Sequence, residues 1–172
     1  MNTYQQSRNT GTYQQGLNDE ARVLAYLTST LGPGRVFKSS KHLDTMLDVD
    51  AHVSGVTVSI KCQHACTQTG NLCFELTTFD SDGREERSWY YNGQAECYLI
   101  LVEDTLYQLW KQDLQNHVGA NDWDRIVGLS GRVKQMQLDI GHRHHNVSVG
   151  LLKLDTLIRL NIATQIGVLN NV

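Results

Sequence analysis

The chain has 172 residues and a mass of 19.4 kDa, enough for one domain that buries roughly 70% of the surface its unfolded form exposes. Hydrophobic residues at 40%, charged residues at 19% and a mean hydropathy of -0.37 exclude a disordered polymer on one side and a membrane-embedded helical bundle on the other. The formal charge of -3 excludes bulk electrostatic capture of nucleic acid, so any contact with phosphate has to rest on local clusters of Lys and Arg.

Residues 1–14, rich in Gln, Asn, Thr and Tyr without periodicity, read as a flexible arm ahead of a single domain over 15–172. Leu17, Ala21, Leu24, Ala25, Leu27 and Leu31 then recur at helical spacing, and Gly32-Pro33-Gly34 ends the pattern, which predicts the first helix. From Thr45 to Val53, Leu47, Val49, Ala51 and Val53 alternate with Asp48, Asp50 and His52, the period of a half-buried strand. Gly55 supplies a turn into a second strand, where Val56, Val58 and Ile60 alternate with a polar face of Thr57, Ser59 and Lys61 that continues to Gln63. A third strand follows Gly70, with Leu72, Phe74 and Leu76 on one side and Asn71, Cys73 and Glu75 on the other.

Asp80, Asp82 and Gly83 open a charged loop through Arg87, and Trp89–Tyr91 reads as a short strand. The nearly unbroken apolar run Cys97–Val102 predicts a central strand covered on both faces, followed by a turn at Asp104 into Leu106–Trp110. Lys111–His117 predicts a short helix. Val133–Ile140 and Val147–Leu152 predict a hairpin around Gly141–Asn146, and Leu154–Ile162 a closing helix. This order of elements fits an α+β or α/β fold, a mixed sheet flanked by helices, with its core at about 17–118 and a C-terminal strand-helix extension over about 119–172.

Polar residues on one face of two neighbouring, otherwise apolar strands carry the chemical signal. Asp48 and Asp50 share a face of the first strand, Ser59 and Lys61 that of the second, and the turn at Gly55 makes the two a hairpin. Carboxylates and an ammonium half-buried together are costly unless paired or bound to a cation, so the pattern asks for a chemical reason. Phosphoryl chemistry supplies one: carboxylate oxygens hold a hard divalent cation, and a nearby ammonium offsets charge developing on phosphate. Glu75, on the third strand, and Glu20, in the first helix, are further carboxylate sources.

With Leu47-Asp48-Val49-Asp50, Val58-Ser59-Ile60-Lys61-Cys62-Gln63 and Thr69-Gly70-Asn71-Leu72-Cys73-Phe74-Glu75, the chain resembles the PD-(D/E)XK nuclease superfamily, most of all its small phage-encoded and intron-encoded (homing-type) members. Ala95-Glu96-Cys97-Tyr98 is similar to the step before that family's next core strand, and the likeness spans about Leu17 to Leu114. The resemblance implies a restriction-endonuclease-like αβββαβ core and Mg²⁺-dependent (Mn²⁺ can substitute) hydrolysis of DNA, double-stranded, by a homodimer or higher oligomer. It implies Asp50 as metal-binding aspartate, Lys61 as catalytic lysine and Glu20 as an accessory carboxylate, with Glu75 as a further ligand in place of the missing acid and Asp48 a ligand or a group behind the ligands; Gln63, on the face of Lys61, is placed to position water or to contact the backbone. Ser59 departs from it, because the pattern has Asp or Glu two residues before the lysine. A serine hydroxyl binds a cation far more weakly than a carboxylate, so the competing expectation is a non-catalytic DNA-binding or interaction module on the same fold.

Lys38 and Lys41 before the acidic strand, and Arg84 and Arg87 after Glu75, flank the site and are the candidate contacts to a nucleic-acid backbone. His142, His144 and His145, with Arg132, Lys134 and Arg143 near in sequence, form a polar cluster whose default is a solvated hairpin tip, with DNA phosphates as the alternative. Tyr4, Tyr13, Trp89, Tyr90 and Tyr91 offer stacking surfaces but more often fill a core or interface. Cys62, Cys66 and Cys73 with His64 lack the paired CxxC spacing of a zinc site. All four cysteines, Cys97 included, read as reduced thiols. The polar amino terminus and the absence of an apolar run near ~20 residues set the expectation of a cytoplasmic protein with no membrane partner.

Overall fold

The structure, a computed structural model, describes residues 11–79, 84–118, 132–140 and 143–169, with the backbone alone at 11–13, 78–79, 132–140 and 143–146. In chain order the elements are α1 (Gly11–Leu31), a 3₁₀ turn (Pro33–Arg35), β1 (Val36–Lys38), α2 (Lys41–Leu47), β2 (Ala51–Val53), β3 (Val56–Cys62), α3 (Cys66–Thr69), β4 (Asn71–Glu75), β5 (Thr77–Phe79), β6 (Glu85–Arg87) and α4 (Trp89–Asn92). They continue with β7 (Cys97–Val102), β8 (Thr105–Trp110), α5 (Lys111–Val118), β9 (Arg132–Ile140), β10 (Arg143–Lys153), α6 (Leu154–Arg159) and β11 (Ala163–Val168). The main sheet has the order β1-β2-β3-β7-β8-β11, a second sheet β4-β10-β9, and β5 pairs with β6. All main-sheet pairings are antiparallel except β3 with β7, whose parallel register sets Ser59 beside Tyr98 and Lys61 beside Ile100. A parallel pair needs a crossover, and the chain between β3 and β7 supplies one that carries α3, β4, β5, β6 and α4. The fold is therefore mixed α/β, a mixed sheet flanked by helices.

Period-2 alternation divides the core. Val58 and Ile60 of β3 and Cys97, Leu99 and Leu101 of β7 face Val23 and Leu27, one helical turn apart on α1. Tyr98 and Ile100 point the other way, into a cluster with Leu72, Phe74, Tyr90, Leu114, Leu152 and Leu157 from β4, β10 and the short helices. β7 is buried from Cys97 to Leu101, as expected of a strand covered on both faces. Ser54 and Gly55 both take positive φ, 52° and 89°, which gives the two-residue β2–β3 turn the primed geometry that matches strand twist.

Three expectations change. Thr45–Val53 is not one strand: Ser40 caps α2 by accepting from the Leu43 N–H, α2 runs to Leu47, Asp48 closes it in the left-handed region (φ 53°), and only Ala51–Val53 is strand. Local capping wins over an alternation that happens to cross a helix end. Trp89–Tyr91 is the start of α4, with Tyr90 buried. The helix after Lys153 ends at Arg159, and the chain returns as β11 beside β8, while β10 pairs with β4. The region expected as an extension thus supplies strands to both larger sheets. The helix from Lys111 and the β9–β10 hairpin form where predicted, but β10 starts at Arg143, so Arg143–Asn146, expected in the hairpin tip, pair with β9 as strand. Gln14 and the backbone of residues 11–13 belong to α1, and residues 1–10 of the expected arm lie outside the described residues.

Candidate active site

The site is built where β2 stops. Asp50 N–H still donates to Val58 O, but the next group along that edge of β3, the Ile60 N–H, faces no strand residue and donates instead to Asp50 Oδ2 at 2.5 Å. The carboxylate replaces the missing ladder bond, and it is drawn inside: Asp50 is only 7% exposed. Burial pushes its pKa up to about 7, against the opposing pull of Lys61 and the Ile60 N–H, and the negative charges of Asp48 and Glu20 push the same way as burial. No described residue donates to Oδ1.

Glu20 lies three residues before Val23 on the sheet-facing stripe of α1, and its largely buried carboxylate meets Lys38 Nζ of β1 at 2.7 Å. Lys61 stands on the opposite face of β3 from α1. Its Nζ lies 2.5 Å from Asp48 Oδ1 and 4.9 Å from the centroid of the Trp89 ring, so charge and a cation–π contact fix the ammonium. Asp48 itself is held by the left-handed cap of α2, and Gly93 leaves the room it needs: a Cβ there would meet Trp89 O at 2.5 Å and Asp48 Oδ2 at 3.0 Å. Lys111 donates to Gly93 O, and burial lowers its pKa while Asp48 opposes the shift. Asp48 Oδ2, Ser59 Oγ and the Tyr98 hydroxyl are buried without a hydrogen-bond partner among the described residues. Burial first, then Asp48 and Tyr90, raises the Tyr98 phenol.

Asp50, Glu20, Asp48 and Lys61 therefore share one electrostatic environment, joined around an edge of β3 instead of across one polar face as the two-strand expectation had it. Glu75 is not brought to it. Its strand β4 lies in the second sheet, its Oε1 accepts from the Ser88 hydroxyl, and it is not among the groups that perturb Asp50. Gln63 is likewise taken up in structure: its Nε2 donates to Cys73 O at 2.8 Å and its Oε1 accepts from Cys73 N–H at 2.6 Å, so the side chain acts as a strand partner that ties β4 to the end of β3. Both correct the sequence expectation, Glu75 because β4 finds its ladder in β10 and not in β3, and Gln63 because its amide is engaged by the Cys73 backbone. Ser59 is fully buried. Among the described residues, no three His, Cys, Asp or Glu side chains converge in ligating geometry.

Of the basic candidates, Lys41 is exposed at the start of α2, and Arg87 sits 5.1 Å over the Tyr91 ring beside β6. Arg84 is exposed just before β6. Trp89 stacks edge-on against Tyr98 at 5.3 Å, so the aromatic cluster at α4 packs the core and supports Lys61. His64 has both ring nitrogens engaged, Nε2 with Asp19 Oδ2 at 2.8 Å and Nδ1 accepting from Glu103 N–H, which ties α1 to the end of β7. Cys62 is a free thiol whose pKa burial pushes up to about 12, the opposite of a metal-ready thiolate. His142 and Tyr4 lie outside the described residues, and of Tyr13, Arg132, Lys134, Arg143, His144 and His145 the backbone alone is described, in α1, β9 and β10. Gly93, Tyr98 and Lys111 are not among the residues the sequence singles out for the site, Trp89 is singled out only as a stacking or core residue, and only the fold brings them to Asp48 and Lys61. Compared with protein-family models, curated proteins and solved structures, the chain matches none of them.

Between about pH 4 and 7 the unfolded chain ionises Asp50 while the fold keeps it protonated, so the native state holds the extra proton and loses stability as pH rises through that window. Asp50→Asn keeps an acceptor for Ile60 N–H and cannot ionise. In the presence of a chelator its Tm should match wild type near pH 4 and exceed it by about 3 °C or more at pH 8, roughly ≥1 kcal/mol; equal Tm at both pH values contradicts the burial of an ionisable group. Gln63→Ala removes both hydrogen bonds of the clasp to Cys73 and should cost about 1–3 kcal/mol in urea unfolding, where an unchanged midpoint would show the clasp to be idle. Gly93→Ala should cost about 1–3 kcal/mol through overpacking against Trp89 O and Asp48, read in the same experiment.

Proposed function

We propose that the protein is a divalent-cation-dependent endonuclease acting on the phosphodiester backbone of DNA, with Asp50 and Lys61 at its centre. The observation that carries this reading is the buried Asp50 carboxyl at the free edge of β3, close enough to Glu20, Asp48 and Lys61 to feel all three charges. The donor set suits a hard cation: it is carboxylate oxygen, Asp50 Oδ1 has no described donor, and a carboxylate strained by burial and by two like charges gains most from a positive ion. Asp50 and Glu20 would hold Mg²⁺ or Mn²⁺, and the ion would supply a more acidic water and a Lewis acid for phosphate oxygen. The chain's own groups do the rest. Asp48 and Trp89 hold the Lys61 ammonium in place, so that its charge can stabilise negative charge developing on phosphate without reorganisation.

The topology supports the finer fold assignment within this reading. A helix, then an antiparallel β1-β2-β3 meander, then a helix-bearing crossover to β7 parallel with β3, is the succession that a restriction-endonuclease-like αβββαβ core requires. Double-stranded DNA as substrate, a homodimer or higher oligomer that places two sites on two strands, a homing-type or phage DNA-processing role, and action in the cytoplasm of a host cell belong to the same proposal. No described helix is long and apolar enough to cross a membrane.

A second reading, a DNA-binding or interaction module that has lost catalysis, is favoured by one observation: the position two before Lys61 is a fully buried serine instead of an acid. Plasmid DNA with Mg²⁺ or Mn²⁺ separates the two. Wild type should nick or linearise it, and Lys61→Ala and Asp50→Ala should each reduce the rate by on the order of 10² to 10³. Cleavage unchanged in both variants removes the assignment, and DNA binding without cleavage by wild type selects the second reading.

A further inference from the structure

Lys38 was a candidate phosphate contact, yet in the structure it is engaged elsewhere. Its ammonium meets Glu20 Oε1, and the short contact with that carboxylate, helped by the charges of Asp44 and Asp50 and opposed by burial, raises its pKa. The two partners differ in freedom: the Glu20 side chain is 15% exposed and the Lys38 side chain 59%. Lys38 stands on β1, an edge strand of the main sheet, and Glu20 is its one ion-pair partner among the described residues. Lys61, in contrast, is 22% exposed and fixed from two sides by Asp48 and Trp89. Of Lys38 and Lys61, the two lysines ion-paired to the carboxylate cluster, only Lys38 can swing away at low cost, because a long flexible stem carries its charge into solvent.

We propose that Lys38 is a displaceable internal counter-ion: it occupies Glu20 while no cation is bound, and a divalent cation that takes the Glu20 carboxylate releases the ammonium to a phosphate of the nucleic acid. This rests on the metal-dependent reading of Asp50 and Glu20. A cation and an ammonium compete for one buried oxygen, and the positive charge set free at the sheet edge adds to the attraction for a polyanion. Cation and DNA then bind with positive coupling, which linkage makes reciprocal. Without its cation the protein holds DNA weakly, since one of its few local lysines is sequestered, and the overall charge of -3 offers no substitute.

The test compares the full chain and its Lys38→Gln variant. Calorimetry with Mn²⁺ should show about five-fold tighter cation binding in Lys38→Gln, because the competitor is gone. Anisotropy of a labelled 20-base-pair duplex is then measured over a salt series with and without Mn²⁺, both proteins carrying Lys61→Ala so that the duplex stays intact. Mn²⁺ should tighten duplex binding about five-fold or more in the Lys38 protein and less than about two-fold in Lys38→Gln, whose salt slope in Mn²⁺ should be shallower by about one. Mn²⁺ binding that is equal or weaker in Lys38→Gln, or a Mn²⁺ enhancement that survives the substitution, overturns the inference and leaves the metal site standing. Absence of Mn²⁺ binding to the unsubstituted chain, or binding that persists undiminished in Asp50→Asn, overturns both.

Discussion

One hydrogen bond organises the candidate site: the Ile60 N–H given to a side chain because the neighbouring strand has ended. β2 is only three residues long, and the edge of β3 beyond Val58 would present a bare donor to the protein interior if Asp50 did not fold back onto it. A buried N–H without a partner is costly, so the backbone fixes the carboxylate in place. The same move strips that carboxylate of water and sets it near two other acids, which raises its pKa. Structural satisfaction and chemical readiness thus come from a single atom pair.

Around this pair the protein distributes compensating charge unevenly. Lys61 is locked by Asp48 and Trp89, while Lys38 is tethered to Glu20 alone and reaches into solvent. The locked ammonium is suited to stabilising charge that appears at one point, and the tethered one to changing partners. Asp48 serves the locked lysine from a left-handed cap, and its second oxygen is buried, as are Ser59 Oγ and the Tyr98 hydroxyl on the paired strands β3 and β7.

Much of the frame was legible in the sequence because it is written in local periodicity. β3 and β7 each carry an apolar repeat that matches their burial, the β9–β10 hairpin carries a strand pattern, and the Ser54-Gly55 turn makes the Asp50–Lys61 neighbourhood readable; α1 is legible as a helix but not by its face, since of its apolar repeat only Leu27 is buried while Leu17, Ala21, Ala25 and Leu31 are exposed. Reading failed where a pattern crosses a boundary or where the partner is remote. The alternation from Leu47 to Val53 spans a helix terminus, a left-handed residue and a three-residue strand, and period alone cannot see that break. Glu75 belongs to the site only if β4 neighbours β3, but β4 pairs with β10, some seventy residues on, where Glu75 stands opposite Val149; Gln63 shares the polar face of Lys61, and period alone cannot show that its amide is taken up by the Cys73 backbone. β11 escaped notice because Thr164, Gln165 and Gly167 leave an edge strand with little apolar signal. Trp89 and Gly93 carry no motif, and their roles follow only from a fold that sets α4 against Asp48.

The most direct measurement is the titration of the Asp50 carboxyl carbon by ¹³C NMR, assigned with Asp50→Asn, without and with Mg²⁺. A buried acid poised for a cation should titrate near 7 in the metal-free protein and move to lower pH when Mg²⁺ is added. A transition near the ordinary aspartate value of about 3.9, unmoved by Mg²⁺, would contradict the account at its root.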